Sequence, residues 1–535
     1  MRREPIDFAC QINAADLILQ GARADRRMED VALLYGNSEM SFGELDSFTN
    51  RVANAFRPFL GTGDRVLMLL KDSPEFVASF LGIMRLGCVA VPLNTRLAPR
   101  DIRFIIDNSQ ATALVIDAEF VPLYRAAVDG RSSPLFVVVN GEHQSGLTSF
   151  HEIVGAASPT ACSQPMDPDD MAFWLYSSGT TGTPKAAIHC HGDVVVGDEY
   201  MRTLGLGPGE RVFASSKLFF AFALGHTVIG GLRAGATVIL FDGWPDATAI
   251  AEVVERYRPS VMLSVPTFFR NLLRDRVAQN ACFRSVRTYL SAGEALPVCL
   301  YEGWLAATGA PIIEGIGATE TIFMFISGTP AEHRPGATGK PMPYADVRLL
   351  DPAGQPVTAV GAIGTVWVKM PSLCRGYWLQ PERTTAQFRD GWFRTGDTFS
   401  VDAEGWWHYH SRTDDLLKIS GQWVSPGEIE ECAERVPGIR EAVAIGVENG
   451  DGLTRAVLFL VADGDGIPDN VERAQLEQEV SHQLRTTLSI YKCPREMRFV
   501  DAIPRTATGK VQRYLLRQQS TPRNENQAER SCNAS

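Results

Sequence analysis

The sequence predicts an α/β protein, with a large N-terminal domain of parallel-sheet α/β subdomains plus a β-rich subdomain and a small α+β C-terminal domain. Three observations predict it. Apolar strand-like runs alternate with amphipathic helical segments across the N-terminal and middle parts of the chain, and such alternation folds as helices crossing over a parallel sheet. After about residue 340 the texture changes to short β-like stretches broken by Gly, Pro and Asp. The last hundred or so residues again mix helix and strand.

Taken in order, Ser41-Phe42-Gly43-Glu44 is a capping box, and Leu45, Phe48, Val52, Phe56 and Phe59 recur at helical spacing up to Gly61. Val66 to Leu70 reads as a buried strand. Ser73-Pro74-Glu75 starts a helix that Gly87 closes before a second strand, Cys88 to Leu93, which completes a β-α-β unit. The alternation returns with strands at Ala236 to Phe241 and Val261 to Val265 and helices at Ala247 to Tyr257 and Thr267 to Leu273. Apolar segments Val286 to Leu290 and Pro311 to Ile313 end in the glycine-bearing turns Ala292-Gly293-Glu294 and Gly315-Ile316-Gly317. Open α/β sheets put ligands at the C-terminal ends of their strands, so both turns are site candidates.

Short strands are expected at Asp346 to Leu350 and Gly364 to Val368. The C-terminal domain should hold helix Pro426 to Val436, strands Ala442 to Val447 and Ala456 to Val461, and helix Val471 to Leu488. Gln518 to Ser535 is polar with almost no apolar residues and is expected to be disordered. No repeat at solenoid spacing occurs.

Composition bounds the function. At 535 residues the chain calls for two or more domains, and 45% hydrophobic with 21% charged residues is ordinary for a soluble enzyme. A net charge of −11 and a pI near 5.4 argue against a nucleic-acid binder. The ten cysteines show no C-x-x-C pairs or metal-ligand spacing, which reads as reduced thiols. The first residues, Met1-Arg2-Arg3-Glu4-Pro5-Ile6-Asp7, do not read as a signal peptide, and no apolar run spans a bilayer. A cytoplasmic protein without membrane partners is expected.

The most specific stretch is Tyr176-Ser177-Ser178-Gly179-Thr180-Thr181-Gly182-Thr183-Pro184-Lys185. Glycine lets backbone N–H groups approach phosphate oxygens, hydroxyls donate or reach a magnesium ion, and lysine supplies a point charge. It is not the NTPase P-loop, which needs glycine directly before lysine and a hydroxyl after it; here Pro184 precedes and Ala186 follows. Four further segments join it: Gly315-Ile316-Gly317-Ala318-Thr319-Glu320, Gly391-Trp392-Phe393-Arg394-Thr395-Gly396-Asp397, Ser411-Arg412-Thr413-Asp414-Asp415-Leu416-Leu417-Lys418 and Pro504-Arg505-Thr506-Ala507-Thr508-Gly509-Lys510.

In this order the five segments resemble those of the AMP-forming acyl-CoA synthetases, the adenylate-forming superfamily shared with luciferases and peptide-synthetase adenylation domains. The resemblance spans roughly residues 10 to 517. It implies an N-terminal adenylation domain over 1–412, a mobile C-terminal domain over 413–517 and a tail over 518–535. Ser177, Ser178, Gly179, Thr180, Thr181, Gly182 and Lys185 would close on the β- and γ-phosphates of ATP. Glu320 would hold Mg²⁺ with a hydroxyl of the loop, Thr181. Taken alone, Glu320 reads as a solvated carboxylate or helix cap; its place in Ala318-Thr319-Glu320 after a strand argues otherwise.

The same resemblance makes Ala292, Gly293 and Glu294, with Gly315, Ile316, Gly317, Ala318 and Thr319, the walls of an adenine slot. Asp397 would take the ribose hydroxyls and Arg412 a second ribose or phosphate contact. Lys510 would stand between the carboxylate and the α-phosphate, where a cation offsets the repulsion of two anions. Asp414 matches the family's hinge, and Lys418, Gly421 and Trp423 would lie on the face presented to the thiol of coenzyme A.

Lys217-Leu218-Phe219-Phe220-Ala221-Phe222-Ala223-Leu224-Gly225-His226 resembles the acyl-pocket segment of the benzoate-CoA ligase branch. An aryl ring suits a slot lined by Phe220, Ala221, Phe222, Ala223, Gly317, Ile322 and Phe323. Relatives of that branch often carry histidine where this chain has Phe323 and asparagine where it has His226, and Ala186 stands where glycine commonly follows the loop lysine. The expected activity is an ATP- and Mg²⁺-dependent aryl-acid:CoA ligase. Its rivals are an adenylating enzyme that loads a carrier protein's phosphopantetheine arm and an inactive acid-binding sensor.

Overall fold

The computed structural model describes residues 11–129, 135–178, 184–413, 415, 417–419, 422–448, 454–464, 466–505 and 511–520. The chain divides into two compact units. One comprises Met1–Arg348, Trp367–Thr395 and Gly405–Trp407; the other comprises Leu349–Val366, Gly396–Glu404 and His408–Ser535.

Two sheets dominate the first unit. A seven-stranded sheet runs in the order Thr148–Ser149, Phe136–Asn140, Ala113–Asp117, Arg65–Leu69, Val89–Pro92, Met171–Ser178, Pro184–Cys190. Its strands pair in parallel except the last two, which form an antiparallel hairpin. The predicted β-α-β unit is present, with Arg65–Leu69 and Val89–Pro92 as parallel neighbours joined by helix Pro74–Arg85. The Ser73 hydroxyl accepts from the Phe76 N–H at 3.3 Å, and Pro74 takes the first helical position, where a missing N–H costs nothing.

The capping box is also formed. The Ser41 hydroxyl accepts from the Glu44 N–H at 3.2 Å and the Glu44 carboxylate accepts from the Ser41 N–H at 2.7 Å. The helix it starts, Phe42–Phe56, stops short of the expected Gly61. Pro58 has no N–H to give the Asn54 carbonyl, so the helical ladder cannot continue. Phe59 instead stacks on Phe136, with ring centroids 4.2 Å apart.

The second sheet has nine strands, in the order Lys340–Pro341, Met324–Ser327, Ile312–Gly317, Thr288–Ser291, Val261–Ser264, Arg211–Ala214, Thr237–Ile239, Val31–Tyr35, Ser38–Ser41. Its interior is parallel and its margins antiparallel. One point departs from the expected turn after Ile313. The strand runs on to Gly317, its first half parallel to Tyr289–Ser291 and its second half antiparallel to Met324–Ser327. A Cβ on Gly317 would meet the Phe323 carbonyl oxygen at 2.9 Å, so glycine is needed there for the chain's own return. The β-rich stretch forms a five-stranded sheet that includes Asp346–Leu350, Gly364–Lys369 and Trp392–Val401.

In the second unit a three-stranded sheet joins Ile439–Glu448, Thr454–Ala462 and Glu496–Phe499. Leu458 and Leu460 pack with Val480 and Leu484 of helix Asn470–Thr487, whereas Val457 and Phe459 pack with Ile503 and Leu516. Both faces are covered, so the strand reads as an unbroken apolar run. The tail expectation needs correction: Gln518, Gln519 and Ser520 belong to helix Arg513–Ser520, fixed by the burial of Leu516 and Ser520. Residues 521–535 lie outside the described residues. Among the described residues no helix is long and apolar enough to cross a membrane.

Candidate active site

The hydroxyl-rich loop joins the two strands of the antiparallel hairpin. Ser177 stands opposite Lys185 and Ser178 opposite Pro184 in its register. The loop's Gly179, Thr180, Thr181 and Gly182, and the Ser178 side chain, lie outside the described residues. At the hairpin end the Lys185 amine donates to Glu320 Oε1 at 2.6 Å and to the Tyr377 hydroxyl at 2.8 Å. The Tyr377 hydroxyl donates to the same Glu320 oxygen at 2.6 Å and also contacts Gln387 Oε1.

The protonation states follow. Burial pushes the Glu320 carboxyl up, but the Lys185 charge and the bonds from Lys185 and Tyr377 outweigh it and hold the group below the usual carboxylate range. Burial, then the negative charge of Glu320, drives the Tyr377 phenol far above its ordinary range, so it stays a donor. The result is an ionised, buried carboxylate, a form suited to a magnesium ion. The Ser177 hydroxyl is buried and has no hydrogen-bond partner among the described residues, which makes it a donor suited to a phosphate oxygen. These groups fit a metal-bound polyphosphate. Ala186, where relatives often have glycine, is 1% exposed and packs in the core of the sheet, so its methyl is absorbed by packing rather than by the loop.

Sequence reasoning missed Tyr377, which has no motif around it. It also missed His189 and Asp193. His189 Nε2 bonds the Thr319 carbonyl at 2.8 Å and Nδ1 bonds Asp193 Oδ2 at 2.8 Å. A carbonyl only accepts, so Nε2 carries a proton, and the imidazole fixes the residue just before Glu320. The Phe173 ring stacks on His189 at 4.9 Å. The i, i+4 spacing of His189 and Asp193 was the available signal, but it does not reveal the distant Thr319.

The candidate adenine walls belong to the nine-stranded sheet and to the turns that follow two of its strands. Ala292 is buried, Gly293 has φ +90°, and Glu294 accepts from the Thr267 hydroxyl at 2.7 Å. Gly315, Ile316 and Gly317 are in the strand itself; Ala318 and Thr319 begin the turn to Glu320. Glu314, just before them, accepts from Thr338 Oγ1 at 3.1 Å, and burial raises its carboxyl to about 7.

The pocket segment is fastened at its start by Asp72, whose carboxylate accepts from the Leu218 N–H at 3.1 Å and pairs with the Lys217 amine at 3.2 Å. Phe220, Ala221 and Phe222 are partly exposed, whereas Ala223, Ile322 and Phe323 are buried. The helical turns are irregular: Ala221–Ala223 is one short turn and Leu224–Ile229 is π-helical. His226 brings the two halves of the predicted slot together, with its ring 5.5 Å from Phe222 and 5.9 Å from Phe323.

In the second unit Arg412 donates to Asp397 Oδ1 at 3.0 Å. The Thr413 N–H donates to the Gly396 carbonyl at 2.6 Å, and the Asp415 carboxylate accepts from Arg517 at 2.8 Å. Asp414, Gly421 and Lys510, and the side chains of Lys418 and Trp423, lie outside the described residues.

Comparison with known proteins agrees with this chemistry. Residues 21–378 match the AMP-binding enzyme family and residues 428–510 match the AMP-binding enzyme C-terminal domain. A 3-hydroxybenzoate–CoA ligase of Aromatoleum sp. (strain CIB) is 48% identical over 95% of this chain and 97% of its own length. A benzoate–CoA ligase of Thauera aromatica is 36% identical over 94% of this chain and 95% of its own. The crystal structure of the anthranilate CoA ligase AuaEII in complex with anthranoyl-AMP superposes with a TM-score of 0.90 at 34% identity, covering 97% of this chain and 99% of that one. The match runs through both family regions and nearly the full length of these relatives, and the chain belongs to the AMP-binding enzymes, in their benzoate-CoA ligase-like branch.

Proposed function

We propose that this enzyme is an ATP-dependent aryl-acid:CoA ligase acting on a benzoate-type carboxylate. In the first half-reaction a carboxylate oxygen attacks the α-phosphorus of ATP, the bond to the bridging oxygen breaks, pyrophosphate leaves and an aryl-AMP anhydride forms. In the second, the thiolate of coenzyme A attacks the acyl carbon, the C–O bond to the phosphate breaks, AMP leaves and the aryl-CoA thioester remains.

The observation that supports this reading most is the buried Lys185–Glu320–Tyr377 cluster at the base of a hydroxyl-rich hairpin loop. Glu320 and Thr181 are assigned to the Mg²⁺ that accompanies ATP, an ion that draws charge off the departing phosphates. Lys185 shares its charge between Glu320 and the β- and γ-phosphates, with Ser177, Ser178, Gly179, Thr180 and Gly182 donating around them. Ala292 to Glu294 and Gly315 to Thr319 flank the base, and Asp397 and Arg412 take the ribose. Phe220 to Ala223, Gly317, Ile322 and Phe323 hold the aryl ring.

Lys510 neutralises the two oxyanions during adenylation. The domain division at 412/413, the hinge at Asp414 and the thiol-facing Lys418, Gly421 and Trp423 complete the proposal. The test is pyrophosphate release across benzoates, cinnamates and medium-chain fatty acids, with thioester trapped by free coenzyme A or by a phosphopantetheinylated carrier protein. Aryl-CoA from free coenzyme A is expected. Thioester formed only on the carrier, or a preference for fatty acids, refutes the assignment.

A further inference from the structure

His226 occupies the third position of the π-helical turn Leu224–Ile229 and is 1% exposed. π-Helical turns are rare and concentrate at functional sites. The imidazole packs edge-to-face against Tyr200, Phe222 and Phe323, with centroids 5.6, 5.5 and 5.9 Å away. Its Nδ1 lies 2.8 Å from the Phe222 carbonyl. A carbonyl only accepts, so Nδ1 carries the proton. Burial pushes the imidazole down to about 4, which leaves the ring neutral near pH 7 and Nε2 a bare acceptor.

That acceptor has no hydrogen-bond partner among the described residues. The Tyr200 hydroxyl is already shared with Ser327 Oγ at 2.8 Å, and the Thr227 hydroxyl donates to the Ala223 carbonyl at 2.7 Å. Buried polar atoms are almost always paired, and an exception asks for an explanation. The backbone here is built tightly around the ring. Ile322 is β-branched yet has φ +56°, and a Cβ on Gly225 would meet the Ile322 carbonyl oxygen at 2.7 Å. Strain of this kind persists where the surroundings over-determine it, commonly at ligand sites.

We infer that His226 is a specificity-determining residue whose Nε2 accepts a hydrogen bond from a donor substituent on the ring of the aryl acid. The inference rests on the aryl-acid reading above and adds the class of ring: a hydroxybenzoate or aminobenzoate in preference to unsubstituted benzoate. Phe222 and Phe323, whose rings pack edge-to-face against the imidazole, are among the residues assigned to the aryl pocket, so the histidine lies beside that pocket. An orphaned acceptor is satisfied by such a ring and stays orphaned with benzoate.

The test compares kcat/KM for hydroxy-, amino- and fluorobenzoates at each ring position, in the full-length enzyme and in His226→Leu and His226→Gln. Fluorine occupies the same site without donating. The intact enzyme should prefer the donor over the fluoro acid at one ring position by roughly 10- to 100-fold, as one buried hydrogen bond allows. The hydroxy and amino series tell which donor is used. In His226→Leu the ratio should fall to near one, and His226→Gln, which keeps an acceptor, should restore part of it. Should the variants not fold, the ¹⁵N resonance of Nε2 in the intact enzyme reads the same bond and should move with the donor acid only. An unchanged ratio in His226→Leu, or no donor preference at any position together with an unmoved resonance, overturns the inference. If no aryl acid of any kind releases pyrophosphate, the functional reading fails instead.

Discussion

The hairpin cluster and the pocket around His226 are both buried polar sites in the first unit, yet they are finished differently. Lys185, Glu320 and Tyr377 satisfy one another with three bonds of 2.6 to 2.8 Å. His226 spends one nitrogen on its own helix and leaves the other with no partner among the described residues. A charge cannot wait unpaired in a low-dielectric site, because an isolated buried ion is far too costly. A neutral acceptor can, at about 1–3 kcal/mol. The cluster proposed for a constant, highly charged co-substrate is therefore prepaired, whereas the pocket proposed for the variable acid can hold its acceptor open.

The largest effect that would test this contrast comes from Lys510. Lys510→Ala should slow acid-dependent exchange of pyrophosphate into ATP by about a hundredfold or more, while thioester formation from supplied aryl-AMP continues. Equal loss of both half-reactions would show that the lysine is not confined to adenylation. Glu320→Gln comes next. It removes the carboxylate assigned to magnesium and leaves Lys185 without its counter-charge, and should lower the same exchange by about a hundredfold, partly recovered by raised Mg²⁺.

Tyr377→Phe sharpens the comparison because it deletes one donor and keeps the ring. Glu320 loses a bond that favours its charged form, so its carboxyl rises and the acidic limb of the pH–rate profile moves to higher pH. A limb that stays in place would mean that Glu320 does not govern it. His189→Gln should lower activity by about tenfold, as loss of an outer positioning group commonly does, because Thr319 and hence Glu320 lose their anchor. Its signature is a fall in kcat with a raised Mg²⁺ requirement, which a loss of stability alone does not produce.

The smallest effect is on stability. Glu314 is raised from an ordinary 4.5 to about 7 by burial, so the folded chain holds a proton that the unfolded chain has released in between. Its contribution is whole below the unfolded value and is lost as pH rises through about 7. Glu314→Gln should flatten the fall in unfolding free energy between pH 4.5 and about pH 7, measured with denaturant. An unaltered slope would assign the titration to another group.

Local signals were legible in the sequence. The capping box at Ser41 and Glu44, the Ser73-Pro74 start and the continuous apolar strand Ala456 to Val461 each reflect interactions within a few residues or burial on both faces. Arg412 and Asp397 both fell in motifs already singled out, but their hydrogen bond to each other was not among the expectations. What was misread were boundaries, as at Phe56 and Ser520, where Pro58 and the burial of Leu516 decided against composition.

The order of the motifs, and with it the family and the reaction class, was therefore determined by the sequence alone, because those residues act in short contiguous stretches. Only the tertiary structure decided the partners. Tyr377 is 192 residues from Lys185, His189 is 130 from Thr319, and Phe323 meets His226 across a break in the helical pattern. Side chains that far apart are brought together by strand order and close packing, and no periodicity within one segment records which distant group will satisfy a buried charge or leave an acceptor open.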